Sequence, residues 1–317
     1  MLFGRDKSIE PILVSGSHRS GTTWVGRILA VDNAVAYVDE PLRPDQRPGI
    51  FDGGIDRWFA YVPDYDESQI VKEYRRLLAL KYSVSAEAEA ICSVRDALRM
   101  GRDVVRFFLK RLRSKQVLLK DPLAVLSSAW LSDKLDARVV VMVRHPAAFA
   151  WSLKQKDWTF PFNHLLEQPQ LMEEHLDPFR DEIVRFNNRP QPVTAQAGLL
   201  WKVIYHTVSK FLIDHSDWIV VRHEDLARDP VEGFRDLYAE LGLSYTLACQ
   251  RAVVESSRSE NPTQRPDRPK DIHRDSQGLI GRWRNGLSGT EIETVRKYAE
   301  DVAEEWYSSS SWREKPT

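Results

Sequence analysis

The stretch Pro11-Ile12-Leu13-Val14-Ser15-Gly16-Ser17-His18-Arg19-Ser20-Gly21-Thr22-Thr23-Trp24 decides how the rest of this chain is read. Its first four residues form a short apolar run, Ser15-Gly16 interrupts it, and Trp24, Ile28 and Val31 then recur at helical spacing. That order predicts strand, loop and helix, with the helix over 22–31. Residues 16–23 also keep the GxxxxGK[ST] spacing of a phosphate loop, except that Thr22 stands where the lysine belongs. In such a loop glycines let backbone N–H groups turn inward around phosphate oxygens, and the helix N-terminus adds its dipole. Without the lysine the loop is poorly suited to the β- and γ-phosphates of ATP. Its amides and the hydroxyls of Ser20, Thr22 and Thr23 still suit a phosphate, and Arg19 puts a permanent cation at the tip. Taken alone, the octapeptide reads equally well as a Gly/Ser/Thr-rich turn capping a helix.

The same alternation returns along the chain. Gln116-Val117-Leu118-Leu119 precedes a helical stretch to about Leu135, an apolar run over 138–143 precedes a helix opened by Pro146, and residues 217–221 give a fourth strand. Continuous apolar runs alternating with amphipathic helices predict an α/β fold, a P-loop-type central parallel β-sheet flanked by helices. One domain over 1–317 is expected, with two probable acceptor-side insertions: 57–113, mainly helical, and 157–215, with a helix near 195–213. Residues 260–285, where prolines alternate with Arg265, Arg268, Lys270 and Arg274, read as a long basic loop able to act as a lid.

Composition narrows the function. In 317 residues there are 45 Lys+Arg against 46 Asp+Glu, a net charge of −1. That balance excludes wholesale nucleic-acid coating and a polybasic anchor as global properties, so any charge-based function must be local. A chain of this length buries roughly 75% of the surface its unfolded form exposes. Two distant cysteines, Cys92 and Cys249, exclude a disulfide scaffold or a cysteine zinc site. Met1-Leu2-Phe3-Gly4-Arg5-Asp6-Lys7 lacks a signal peptide's apolar stretch, no apolar run is long enough to span a bilayer, and Pro262 blocks the one Asn-x-Thr match; a cytoplasmic location is expected.

Arg19-Ser20-Gly21-Thr22-Thr23-Trp24 resembles the phosphosulfate loop of the sulfotransferases that use 3′-phosphoadenosine-5′-phosphosulfate (PAPS), whose tyrosyl-protein and carbohydrate branches commonly carry Arg at the first place. The resemblance implies that this loop holds the 5′-phosphosulfate and that Trp24 stacks on adenine; a core role for Trp24 is compatible with both. Arg144 follows the 138–143 run, and Ser152 lies eight residues beyond it; this looks like the family's 3′-phosphate site. Val221-Arg222-His223-Glu224-Asp225-Leu226 resembles a segment in which a tyrosine near adenine is common, with His223 in its place. Gly278-Leu279-Ile280-Gly281-Arg282-Trp283-Arg284-Asn285 resembles the end of the cofactor lid, preceded by Ser276-Gln277 where cytosolic members have Arg-Lys. Ser276, Gly278 and Arg282 are therefore candidate cofactor contacts, with Arg274 and Arg282 both open as the lid's phosphate-binding arginine. No metal is expected.

The family's base histidine is replaced. In the matching segment, Lys120-Asp121-Pro122, the histidine's place is taken by Pro122, which accepts no proton. Tyr37-Val38-Asp39-Glu40-Pro41-Leu42 resembles the Tyr-x-x-Glu-Pro-Leu segment of carbohydrate sulfotransferases. Glu40, aimed from a strand end at the sheet's ligand edge, becomes the candidate general base. Asp39 and Asp121 are weaker candidates. Arg19 would clamp developing charge, and Lys120 either clamps charge or pairs with Asp121 or Asp133.

For the acceptor, Trp58, Phe59, Tyr61, Trp158, Phe160 and Phe162 offer aromatic faces and Arg43 and Arg47 offer charge; 110–115 reads as a solvated basic helix end. The reading is thus a sulfotransferase moving sulfonate from PAPS to a hydroxyl on a glycan, glycolipid or small molecule, with no nucleic-acid partner and no membrane span. The rival is a P-loop nucleotide-binding protein or a small-molecule kinase.

Overall fold

The computed structural model describes residues 10–263 and 271–313. Five strands, β1 (Ile12–Gly16), β2 (Val35–Asp39), β3 (Gln116–Lys120), β4 (Arg138–Val143) and β5 (Ile219–Arg222), form one sheet in the order β2-β3-β1-β4-β5. All four pairings are parallel. Alternate strand residues separate onto two apolar faces: Ile12, Val14, Leu118, Val140 and Met142 on one, Leu13, Leu119, Val139, Val141 and Val143 on the other. Both faces are covered, which is why these strands read as unbroken apolar runs.

Helix α1 (Thr22–Leu29) lies on the first face. Residues 57–113 contain α2 (Glu67–Leu78), α3 (Val84–Glu89) and α4 (Val94–Arg113). A 3₁₀ turn, Pro122–Ser127, leads into α5 (Ser128–Leu135), and α6 (Pro146–Lys154) follows β4. Next come α7 (Asn163–Leu166), α8 (Pro169–Leu171), α9 (Arg180–Asn188) and the long α10 (Val193–Asp214). Then α11 (His223–Arg228), α12 (Pro230–Glu240) and α13 (Leu247–Ser257) return to the face of α1. The last helices are α14 (Trp283–Gly286) and α15 (Gly289–Ala303), the latter started by a capping box between Ser288 and Glu291. Helix α10 packs against α6 and α15 over the second face, so it belongs to the sheet's cover.

The structure adds a strand to the four expected. Val35–Asp39 is as long as β1 and β3 but lies at the sheet edge, where Tyr37 and Asp39 are only half-buried, so it lacks the unbroken apolar run of the inner strands. Helix α1 ends at Leu29, two residues before the apolar spacing does, and β5 runs to Arg222. Phe59, Tyr61 and Phe162 are buried core rather than exposed aromatic faces.

Candidate active site

The loop between β1 and α1 is fixed from beneath. The Ser17 amide donates to Tyr205 Oη at 3.2 Å, and Tyr205 in turn donates to the Met142 carbonyl at 2.7 Å, tying the loop to β4. The Ser20 hydroxyl turns inward to the Ser17 carbonyl at 2.6 Å. Gly16 has φ +130°, and a Cβ there would stand 2.2 Å from the Met142 oxygen. Gly21 has φ +103°, and its Cβ would stand 2.6 Å from His223 Nδ1; only glycine lets α1's first turn approach that ring.

Distant segments converge on this loop. Arg19 Nε donates to Ser152 Oγ at 2.9 Å, and Arg144 Nη1 donates to the Arg19 carbonyl at 2.8 Å. Arg144 is itself held by Trp201, whose indole donates to its carbonyl at 2.8 Å. Arg144 Nε and His223 Nδ1 are buried and have no hydrogen-bond partner among the described residues. Burial, and then the Arg144 charge, pull the His223 imidazole down to a pKa of about 3, so the ring is neutral. Beside these groups opens a cavity of about 210 Å³. Among the described residues its wall carries Arg19, Arg144 and Arg274 against one carboxylate, Asp271, which accepts from His273 Nδ1 at 2.7 Å. Trp24, the rim's flat ring, donates from Nε1 to Ser256 Oγ at 3.0 Å and packs edge-on to Phe234. The arrangement suits a ligand with an aromatic ring and more than one anionic group.

Next along the carboxyl edge, at the ends of β2 and β3, lies a different cluster. Lys120, 2% exposed, passes beneath Gly26 of α1 and its ammonium lies between Asp39 Oδ1 at 2.7 Å and Glu40 Oε1. Tyr37 donates to the same Asp39 oxygen at 3.0 Å. Glu40 has φ +49°, a left-handed conformation uncommon outside glycine. Three bonds hold that turn: the Glu40 amide donates to the Lys120 carbonyl at 2.8 Å, and Gln46 Nε2 donates to the carbonyls of Asp39 and Glu40. Glu40 Oε2 has Arg43 Nη1 at 3.9 Å, beyond hydrogen-bond reach. Arg19 is a second non-glycine residue with positive φ, +68°. Both candidates at the reacting centre thus sit in conformations that surrounding bonds must enforce.

Other candidates have structural occupations. Asp121 is fully buried and accepts from the Leu42 and Leu123 amides at 2.7 and 2.9 Å, pinning the Glu40 turn to the start of the next helical turn; burial raises its pKa to about 7. Lys120 pairs with Asp39 and Glu40, and neither Asp121 nor Asp133 is its partner. Arg47 is tied to Glu87 and Asp103 and is not offered to an acceptor. His18, held down to a pKa of about 3 by burial and then by Arg19, packs edge-on to Phe149. In the expected lid, residues 264–270, with Arg265, Arg268 and Lys270, lie outside the described residues. Ser276 is buried at the cavity wall and donates to the Ala227 carbonyl at 3.0 Å. Gly278 and Arg282 do not line the cavity: the Gly278 amide donates to Asp275, and the Arg282 guanidinium lies 5.7 Å from the Trp151 ring.

Residues 11–246 match the model of the sulfotransferase family. The chain belongs to that family. The mouse (Mus musculus) carbohydrate sulfotransferase 5 is 26% identical over 317 residues, covering 90% of this chain and 77% of that protein. The human (Homo sapiens) carbohydrate sulfotransferase 6 is 25% identical over 321 residues, with the same coverage. Among solved structures, the sulfotransferase domain from the Synechococcus PCC 7002 olefin synthase aligns with a TM-score of 0.45 and 16% identity, covering 94% of this chain and 98% of that one.

In this sulfotransferase the cavity wall includes Arg19, Gly21, Thr22, Thr23 and Trp24 from the first motif, Arg144 and Ser152 from the second, and His223 and Ser276 from the C-terminal segments. Glu40 and Lys120 form the neighbouring cluster. Sequence reasoning missed Trp151, Gln155, Ser256 and Tyr205. Gln155 was findable, being three residues from Ser152 on the same helix face. Ser256 and Tyr205 lie on helices with no motif, and no local signal marks them.

Proposed function

We propose that this sulfotransferase moves a sulfonate group from PAPS to a hydroxyl of a carbohydrate-type acceptor, with Glu40 as general base. The observation that carries the reading is the Arg144–Arg19–Ser152 hydrogen-bond chain, which joins the loop after β1 to the end of β4 and to the last turn of α6 at one cavity. The residues fit the cofactor: a cation-rich wall, two buried polar nitrogens without partners among the described residues, and a glycine whose Cβ would collide with His223. Arg19, Thr22 and Thr23 would hold the 5′ group, Arg144 and Ser152 the 3′-phosphate, and Trp24 with His223 the base. When bound, PAPS supplies a sulfonate attached to a phosphate leaving group.

The chain's own residues supply the rest. Glu40 takes the acceptor hydroxyl's proton through Oε2, the oxygen not engaged by Lys120. Lys120 and Asp39 fix the carboxylate's position. Arg19 stays protonated and offsets negative charge as it develops, without acting as an acid. Trp158, 45% exposed with the Arg19 guanidinium 5.8 Å from its ring, is an aromatic surface beside Arg19 and suits a sugar ring. The names of the two carbohydrate sulfotransferases support that acceptor class.

The test is thermal shift of the full chain with PAP (the desulfated product), ATP and ADP. Stabilisation by PAP alone, rising with its concentration, is expected. Stabilisation by ATP that requires Mg²⁺ would overturn the reading in favour of a P-loop kinase or nucleotide binder.

A further inference from the structure

Helix α4 has a face that neither the sheet nor the cavity uses. Its inner side is fixed by residues a helical turn apart: Asp103 accepts from Arg47, Phe107 packs edge-on to Tyr82 at 5.5 Å, and Lys110 donates to the Tyr37 carbonyl at 2.5 Å. The opposite side points away from the protein. Val94, Leu98, Val105, Phe108 and Leu112 are each more than half exposed, Val94 and Leu98 by 79% and 72%. Their spacing of 4, 7, 3 and 4 residues sets them in one stripe, with Gly101, which has open space around it, in the gap. Along one flank run Arg95, Arg99, Arg102, Arg106 and Arg113. The helix holds seven Lys/Arg against two Asp, in a chain whose overall net charge is −1.

We propose that α4 is a docking helix for the surface of an anionic phospholipid membrane. A helix with a wide apolar stripe, an arginine flank and many charges lies in the plane of the interface, with the stripe at the headgroup–acyl boundary and the guanidinium groups on lipid phosphates. Its 20 residues extend about 30 Å along that plane. With seven Lys/Arg and two Asp in those residues, α4 lies along the surface and does not cross it. Charge decides against a second copy as the occupant. A two-fold antiparallel pairing of α4 sets each arginine flank against its own equivalent, which repels, whereas lipid phosphates complement it. Through Asp103 and Arg47, docking also holds the segment that follows Glu40 beside the headgroup layer. The proposal is independent of the cavity's ligand.

The experiment is co-sedimentation of the full chain with phosphatidylcholine vesicles and with vesicles in which about a third of the lipid is phosphatidylserine. Binding to the second only, weakened by salt, is expected. The triple variant Arg99→Gln, Arg102→Gln, Arg106→Gln should bind roughly a hundredfold more weakly, and Leu98→Ser with Phe108→Ser at least about tenfold more weakly. Ile213→Ser, which removes an apolar side chain 80% exposed at the far end of α10, should change nothing. All substituted positions are exposed, and unchanged melting temperatures check the folds. Equal binding to both vesicle types, or binding that neither α4 variant reduces, would overturn the proposal. So would a concentration-dependent dimer, seen by sedimentation velocity, that the Leu98→Ser, Phe108→Ser variant dissolves; that result assigns the stripe to a second copy.

Discussion

The two halves of the sheet's carboxyl edge follow opposite electrostatic plans. Beside β1 and β4, arginines converge and two buried nitrogens, Arg144 Nε and His223 Nδ1, have no hydrogen-bond partner among the described residues. Beside β2 and β3, the buried Lys120 is answered by Asp39 and Glu40, and Tyr37 satisfies Asp39 in turn. A buried polar group left without a partner costs about 1–3 kcal/mol. The first half therefore carries an uncompensated cost, while in the second the buried charge is answered within the cluster. On the proposed reading this is a division of labour: one side binds the donor and the other keeps a proton acceptor in register.

The largest effect should come from removing the acceptor and nothing else. Glu40→Gln keeps the shape and the oxygen that accepts from Lys120, but gives up the proton-accepting carboxylate. Turnover should fall roughly a thousandfold while PAP affinity changes less than about threefold. Steady-state kinetics and a PAP titration on the same preparation check both halves. Retention of more than about a tenth of wild-type turnover would remove Glu40 from the role.

The complementary change acts on the binding side. Arg144→Ala deletes the donor to the Arg19 carbonyl and one of the cavity's three arginines. A charge-assisted bond of this kind is worth about 1.5–3 kcal/mol, so PAP affinity should drop roughly ten- to a hundredfold. At saturating donor, turnover should fall much less than in Glu40→Gln. Should the two variants show the same pattern, the division between the halves fails.

The binding half was far more legible in the sequence than its surroundings. Gly16 to Trp24 announces itself because a tight loop, a close approach and a helix start each demand particular residue types in fixed order. Arg144 and Ser152 stand out through the family resemblance, given their place after an apolar strand and downstream of the Arg19 loop. The alternation of apolar runs and helices likewise implied the covered parallel sheet. What escaped was tertiary. Strand β2 is at the edge and carries Tyr37 and Asp39 among its apolar residues, so its pattern is weak. The positive φ of Arg19 and Glu40 leaves no trace in composition, because the bonds that enforce it come from Arg144, Lys120 and Gln46. Arg47 looked available for an anion only because its partners, Glu87 and Asp103, lie 40 and 56 residues away. Likewise the near-zero net charge concealed α4, since opposite charges elsewhere cancel its arginines.

The smallest effect concerns which arginine the lid contributes, a choice the motif left open between Arg274 and Arg282. Arg274 lines the cavity, and its amide donates at 2.8 Å to the carbonyl of Ser256, the same serine whose hydroxyl receives the Trp24 indole. Arg282 reaches the cavity only through Trp151, over whose ring it lies. Arg274→Ala should therefore weaken PAP binding about tenfold, with a shallower dependence on salt. Arg282→Ala should weaken it less than about threefold and leave the salt dependence unchanged, because a cation–π contact at a partly exposed site is worth about 0.5–1 kcal/mol. Titrations at two ionic strengths separate a lost charge from a displaced tryptophan. If Arg282→Ala flattens the salt dependence and Arg274→Ala does not, the lid's phosphate contact belongs to the glycine-flanked segment, and the binding half extends beyond the wall described for it.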